Sequence, residues 1–123
     1  MHPRWLMLAC ALGFLSVAGG AFGAHALKAR LSEDLMAVFQ TGVQYAMLHV
    51  VALVAVSMMA ARHPSTATTI AGVLFCVGVL LFTGSLWTLA LTGVRWLGAI
   101  TPLGGLSFLA GWVALAIAAN GIE

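Results

Sequence analysis

Residues 43–61 read VQYAMLHVVALVAVSMMAA, carry no Asp, Glu, Lys or Arg, and stop at Arg62-His63-Pro64. A helix that crosses the hydrocarbon core of a bilayer needs about 20 mostly apolar residues, each rising 1.5 Å. This stretch is long enough. The basic residue and the proline behind it mark a helix end at a membrane surface.

Three further stretches share its character: residues 5–24, 68–91 and 102–119. All the charged residues fall outside these four, as the cost of placing charge at the centre of a membrane helix requires. The composition agrees: 63% of the 123 residues are hydrophobic, 7% are charged, and mean hydropathy is +1.10. A soluble domain carries about 25% charged residues. The expected fold class is therefore all-α, a polytopic membrane protein with four antiparallel transmembrane helices. Residues 1–123 are read as a single domain. A net charge of +2 is too small for a nucleic-acid footprint, so nucleic acid is not an expected partner and the lipid bilayer is. Arg4, the apolar run after it and Ala24-His25-Ala26 also have the form of a secretory signal peptide. The segment is expected to stay as the first span.

The connections carry structure of their own. Ser32 is a good N-cap, and Glu33 and Asp34 follow where a helix dipole favours anions. Leu31, Leu35, Val38 and Phe39 recur at helical spacing, interrupted by Gln40 and Thr41. This predicts a short amphipathic helix at the interface between the first and second spans, bending at Gly42 into the second. Thr101-Pro102 reads as an N-cap with proline at the first helical position, opening the fourth span.

Polar residues inside the spans are the only place for chemistry. On the second span Gln40, Thr41, Gln44, Tyr45 and His49 occupy one half of the helix wheel. Val43, Met47, Val50 and Val54 occupy the other, which is expected to face lipid. On the third span Gly78, Ser85, Thr88 and Thr92 share a stripe. Counting inward from the connections puts Ser16, His49, Ser85 and Ser107 in one layer, about 10 Å below one surface. The half of the bundle nearest Arg62 is apolar, with Ser57 the main exception, so the layer is one-sided and no continuous aqueous path is expected. Gln44, Tyr45, His49, Ser85, Thr88 and Ser107 are the candidate residues. They form either a site for a lipid headgroup, a small apolar ligand or a proton, with His49 as its titrating member, or a set of interhelical packing bonds. His49 is expected to face the bundle interior beside Ser85.

Gly19-x-x-x-Gly23 on the first span and Ser107-x-x-x-Gly111 on the fourth are small-residue pairs that let helices approach closely. Gly19, Gly23 and Gly111 are the helix-packing candidates, with an intramolecular partner favoured over a homo-oligomer. Cys10 and Cys76 lie in apolar spans and are expected as unpaired thiols. No metal-ligand spacing is present, and a His25/His49 haem pair is disfavoured by the difference in depth. No cofactor is expected. A Ser85/His49 dyad has no carboxylate within the spans to orient it, so no catalytic residues are assigned.

The motifs Gly20-Ala-Phe-Gly-Ala-His25, Gln44-Tyr45 with His49, Phe82-Thr-Gly-Ser85-Leu-Trp87, Thr101-Pro102-Leu-Gly-Gly105 and Phe108-Leu-Ala-Gly-Trp112 come in that order. In this the sequence resembles the YgdD/YwdK-like family of small four-helix inner-membrane proteins, which has mitochondrial relatives. The resemblance implies a multi-pass protein of the bacterial inner membrane, in a family of uncharacterised biochemical role. Basic residues are nearly balanced across the membrane here. By the resemblance both termini are placed in the cytoplasm. The function expected is a non-enzymatic assembly, interaction or lipid-binding module, acting on a lipid, an apolar ligand or a membrane-protein partner. The alternative is a small transporter or channel component built around His49.

Overall fold

The computed structural model of the chain describes residues 2–121. Four helices in it are long and apolar enough to cross a membrane: Pro3–Leu27, Glu33–Arg62, Thr66–Thr92 and Arg95–Ala119. The first is composite. Helix α1 (Pro3–Val17) opens with proline in its first turn, where a missing N–H costs nothing. A π-helical segment (Ala18–Gly23) follows, its end marked by the bond from Ala24 N–H back to the Gly19 carbonyl. The short α2 (Ala24–Leu27) completes the rod.

Helix α3 (Glu33–Arg62) starts where the sequence implies. The Ser32 hydroxyl accepts from Leu35 N–H at 3.2 Å, and Glu33 and Asp34 fill the first turn. Residues 33–41 are helical as expected. They do not form a separate interfacial helix, however, and the helix is not interrupted at Gly42. The reason is packing. A Cβ on Gly42 would come within 3.0 Å of the Trp87 ring, and the Gly42 carbonyl accepts a bond from Thr83 Oγ1 at 2.8 Å. The glycine is a contact point, held helical by its neighbours.

Helix α4 (Thr66–Thr92) is capped by Ser65, which accepts from Thr68 N–H at 3.1 Å, and closed by Gly93 in the left-handed region at φ 73°. A 3₁₀ turn (Arg95–Ala99) leads into α5 (Thr101–Ala119). Thr101 is the first residue of α5 and not its N-cap. Ile100 before it is already helical (φ −79°, ψ −31°), so the chain has no extended cap residue there. The Thr101 hydroxyl instead meets Ser85 Oγ at 2.7 Å.

Neighbours in sequence are antiparallel neighbours in space: α1 packs on α3, α3 on α4, and α4 on α5. Pro3, Arg62, Thr66 and Ala119 lie at one end of the bundle. Glu33, Thr92 and Thr101 lie at the other, where Arg95 pairs with Asp34 at 3.4 Å across exposed side chains. The two middle helices are the most enclosed, and the outer pair turn wide apolar faces outward. The core runs through Leu53, Val56, Ala71 and Phe75, with a second cluster of Phe39, Val43 and Ala90 under Trp87. Val43 thus departs from the expected lipid face: it is 4% exposed and touches the first span at Gly20. Val50 and Val54 are partly buried as well, while Met47 faces outward. Helix α3 has two packed faces, one for α1 and one for α4, and its wheel has no single lipid half.

Rings docking on glycines fix the approach of the helices. Cβ atoms on Gly72, Gly78 and Gly111 would come within 2.4 Å of Trp5, 2.4 Å of Phe108 and 2.7 Å of Phe75, respectively. Gly104 meets backbone: its Cβ would lie 2.5 Å from the Phe82 nitrogen.

Candidate functional site

His49 lies about 24 Å along α3 from Glu33 at 1.5 Å per residue, near the middle of the helix. It is 2% exposed. Its Nδ1 pairs with the Tyr45 carbonyl at 2.6 Å, one helical turn back, and its Nε2 accepts from the indole N–H of Trp112 on α5 at 3.1 Å. A carbonyl only accepts and an indole N–H only donates, so this pattern places the proton on Nδ1 and a lone pair on Nε2. The Phe108 ring stacks on the imidazole at 3.5 Å between centroids and 7° between planes, and Phe75 of α4 stands 5.5 Å away. The ring is interior, as expected. Its neighbours are aromatic rings from α4 and α5, and both nitrogens are committed.

Ser85 is not among those neighbours. The Leu86–Trp87 part of α4 lies against Gly42, about 10 Å along α3 from His49. Ser85 Oγ bonds the Phe82 carbonyl at 3.0 Å and Thr101 Oγ1 at 2.7 Å. The expected single polar layer is therefore split into levels. The depth count started α3 at residue 43, ten residues too late. Ser107 does sit near the level of His49, and its hydroxyl donates across to the Leu74 carbonyl of α4 at 2.6 Å. Ser16 turns back on the Leu12 carbonyl at 2.7 Å. Thr88 is exposed and bonds the Gly84 carbonyl at 2.7 Å. Gln44 is exposed too. Tyr45 is 43% exposed, its ring lies 4.5 Å from Phe82, and its hydroxyl has no partner among the described residues.

Gly19 and Gly23 face a stacked pair of rings. Phe39 and Trp87 lie 5.0 Å apart with planes 12° from parallel. A Cβ on Gly19 would come 2.5 Å from Trp87, and one on Gly23 3.3 Å from Phe39. The indole N–H of Trp87 donates to the Phe39 carbonyl at 3.2 Å.

The sequence reading missed three of the polar contacts that join helices. Thr83 bonds the Gly42 carbonyl, Trp87 bonds the Phe39 carbonyl, and Ser57 exchanges bonds with His2: Oγ to the His2 carbonyl at 2.9 Å, and His2 N–H to the Ser57 carbonyl at 3.0 Å. Ser57 was visible as the main polar exception in an apolar half. Thr83 and Trp87 lie beside Ser85 in one motif, off the stripe of Gly78, Ser85, Thr88 and Thr92. Trp112, the partner of His49, closes another motif.

Beside His49 an apolar furrow of about 580 Å³ opens between α3 and α5, lined by Tyr45, Phe82, Gly105, Phe108, Leu109 and Trp112 among others. A second, of about 630 Å³, runs between the first span and α3 past Cys10, Gly13, Phe14 and Val50.

Residues 19–105 match the family described as Protein of unknown function (DUF423). The chain is 43% identical over 113 residues to a UPF0382 membrane protein of Staphylococcus haemolyticus, covering 92% of each. It is 40% identical over 116 residues to the UPF0382 membrane protein YwdK of Bacillus subtilis, covering 94% of each. It is 38% identical over 120 residues to the UPF0382 inner membrane protein YgdD of Escherichia coli, covering 97% of this chain and 92% of that one. No solved structure matches the chain.

Proposed function

The chain belongs to the DUF423 family, and from that premise we propose that it is a non-enzymatic module of the bacterial plasma membrane, working through its packed shape and its lateral surfaces. It is an all-α, multi-pass protein of the inner membrane. One observation carries the reading: His49, the titratable side chain set deepest in the bundle, has both ring nitrogens engaged by the protein itself. Serine and threonine hydroxyls on the third and fourth spans are engaged in the same way, on carbonyls or on one another. Such bonds join helices in a bilayer, at about 0.6 kcal/mol each. What the molecule offers its surroundings is apolar: the two furrows and the outward faces of the first and last spans, where Met7, Phe14, Leu106 and Leu109 are exposed. These surfaces suit lipid chains or the helices of a membrane-protein partner. In this proposal the end carrying Arg4 and Arg62 faces the cytoplasm.

The test is a proton-flux assay on proteoliposomes of the wild type and His49→Gln, with thermal melts of both in detergent. This reading expects flux no greater than in protein-free vesicles for either protein, and a lower melting temperature for the variant. Flux carried by the wild type and lost in His49→Gln would give the ring a relay role and overturn the reading.

A further inference from the structure

The furrow between α3 and α5 has two features that packing within the chain does not explain. The first is the Tyr45 hydroxyl. The residue lies in the long apolar part of α3, its ring is held between Phe82 and Phe108 at 4.5 and 6.4 Å, and its hydroxyl finds no partner among the described residues. Hydrocarbon does not satisfy a phenol, so an occupant of the furrow that carries an acceptor gains a hydrogen bond here. The side chain leans toward the start of α3, because helical Cα–Cβ bonds tilt toward the N-terminus. The hydroxyl is thus directed toward the membrane surface near Glu33 and Pro102.

The second feature is Gly105. Its neighbour Gly104 is required by contact with the Phe82 backbone. A Cβ on Gly105 would meet nothing within 4 Å. This glycine weakens the helix without relieving any clash, and its effect is to leave the furrow wall open. From Pro102 to Trp112 the furrow follows α5 for about 15 Å, half of a hydrocarbon core of about 30 Å. That is the reach of a chain from one leaflet.

We propose that the furrow seats one acyl chain of an ester-linked glycerophospholipid from the leaflet on the Glu33 side, and that the ester carbonyl accepts a hydrogen bond from the Tyr45 hydroxyl. The inference rests on the lateral-surface reading above and names its ligand class. An ester carbonyl fits because it stands where chain meets headgroup, within reach of a phenol leaning to that surface, and because it is an acceptor attached directly to an apolar chain.

The test is native mass spectrometry of the full chain in mild detergent, incubated with a diacyl phosphatidylglycerol or with its diether analogue, which lacks the carbonyls. The wild type is expected to retain one diacyl lipid in preference to the diether by about five-fold, the worth of one ordinary hydrogen bond. Tyr45→Phe is expected to retain both equally. Gly105→Leu, whose side chain enters open space, is expected to cut retention of both at least about ten-fold, as the loss of a buried chain implies. Leu106→Trp on the same wall serves as a second block, and helical circular dichroism verifies the fold of each variant. Equal retention of diacyl and diether lipid by the wild type, or a preference that survives Tyr45→Phe, overturns the ester inference. If Gly105→Leu still abolishes retention in that case, the lateral-surface reading stands. Retention that neither blocking variant reduces, or no retention at all, overturns the furrow as a lipid seat.

Discussion

The indole of Trp112 donates to Nε2 of His49 at 3.1 Å, joining the middle of α3 to α5 beside the ring stack of Phe108 on the same imidazole. The bond works only while Nδ1 carries the proton, and the Tyr45 carbonyl holds it there. The hydrogen bond between the second and fourth spans therefore depends on one tautomer of one histidine.

A double-mutant cycle should detect this link. His49→Gln and Trp112→Phe are each expected to destabilise the bundle, with a coupling of about 0.6–1.7 kcal/mol between them. Denaturant titration in mixed micelles measures it. Strictly additive effects would mean that the hydrogen bond contributes nothing to stability.

The glycines divide into two groups by what surrounds them. Gly19→Ala places a methyl 2.5 Å from the Trp87 ring and is expected to cost about 1–3 kcal/mol. Gly84→Ala places one in open space and is expected to stabilise its helix by up to about 1 kcal/mol. Melting curves of the two variants should move in opposite directions.

Thr83→Val keeps the side-chain shape and removes the donor to the Gly42 carbonyl. A loss near 0.6 kcal/mol is expected, about the average for such bonds between membrane helices. A much larger loss would show that this contact sets the register of α3 against α4.

Cys10 is exposed on the first span and Cys76 is half-buried on α4, both as free thiols. Under non-reducing conditions the intact mass is expected to equal that of the reduced chain. A mass lower by two hydrogens would contradict it.

The start of α1 at Pro3 and the end of α5 at Ala119 lie at the Arg62 end of the bundle. A fluorescent protein fused to the C-terminus is expected to fold and fluoresce, and alkaline phosphatase fused there to be inactive. Phosphatase activity would invert the orientation.

How much of this was readable beforehand follows from what each signal measures. Hydropathy and charge placement located the four spans, because a bilayer penalises charge whatever the packing. The cap at Ser32 is local chemistry and was equally legible. Depth and facing were not. A polar helical turn such as residues 33–41 looks interfacial in sequence, yet it continues α3 without a break once Trp87 packs over Gly42. Val43 looked lipid-facing because valine suits lipid and a protein core equally well; only the arrangement of α1 and α4 around α3 decides. The interior position of His49 was legible from the cost of an unsatisfied ring, but its partner was not, since Trp112 lies 63 residues away along the chain.

In a membrane span, Gly19-x-x-x-Gly23 invites a search for a dimer seam. Here the notch is already filled from within by Trp87 and Phe39. A genetic dimerisation reporter carrying bulky replacements at these glycines would lose signal because the protomer no longer closes, and that loss would be mistaken for two subunits parting. Any self-association has to use a protruding surface instead, such as the Met7, Phe14 and Phe22 side of the first span, where changes leave the interior untouched.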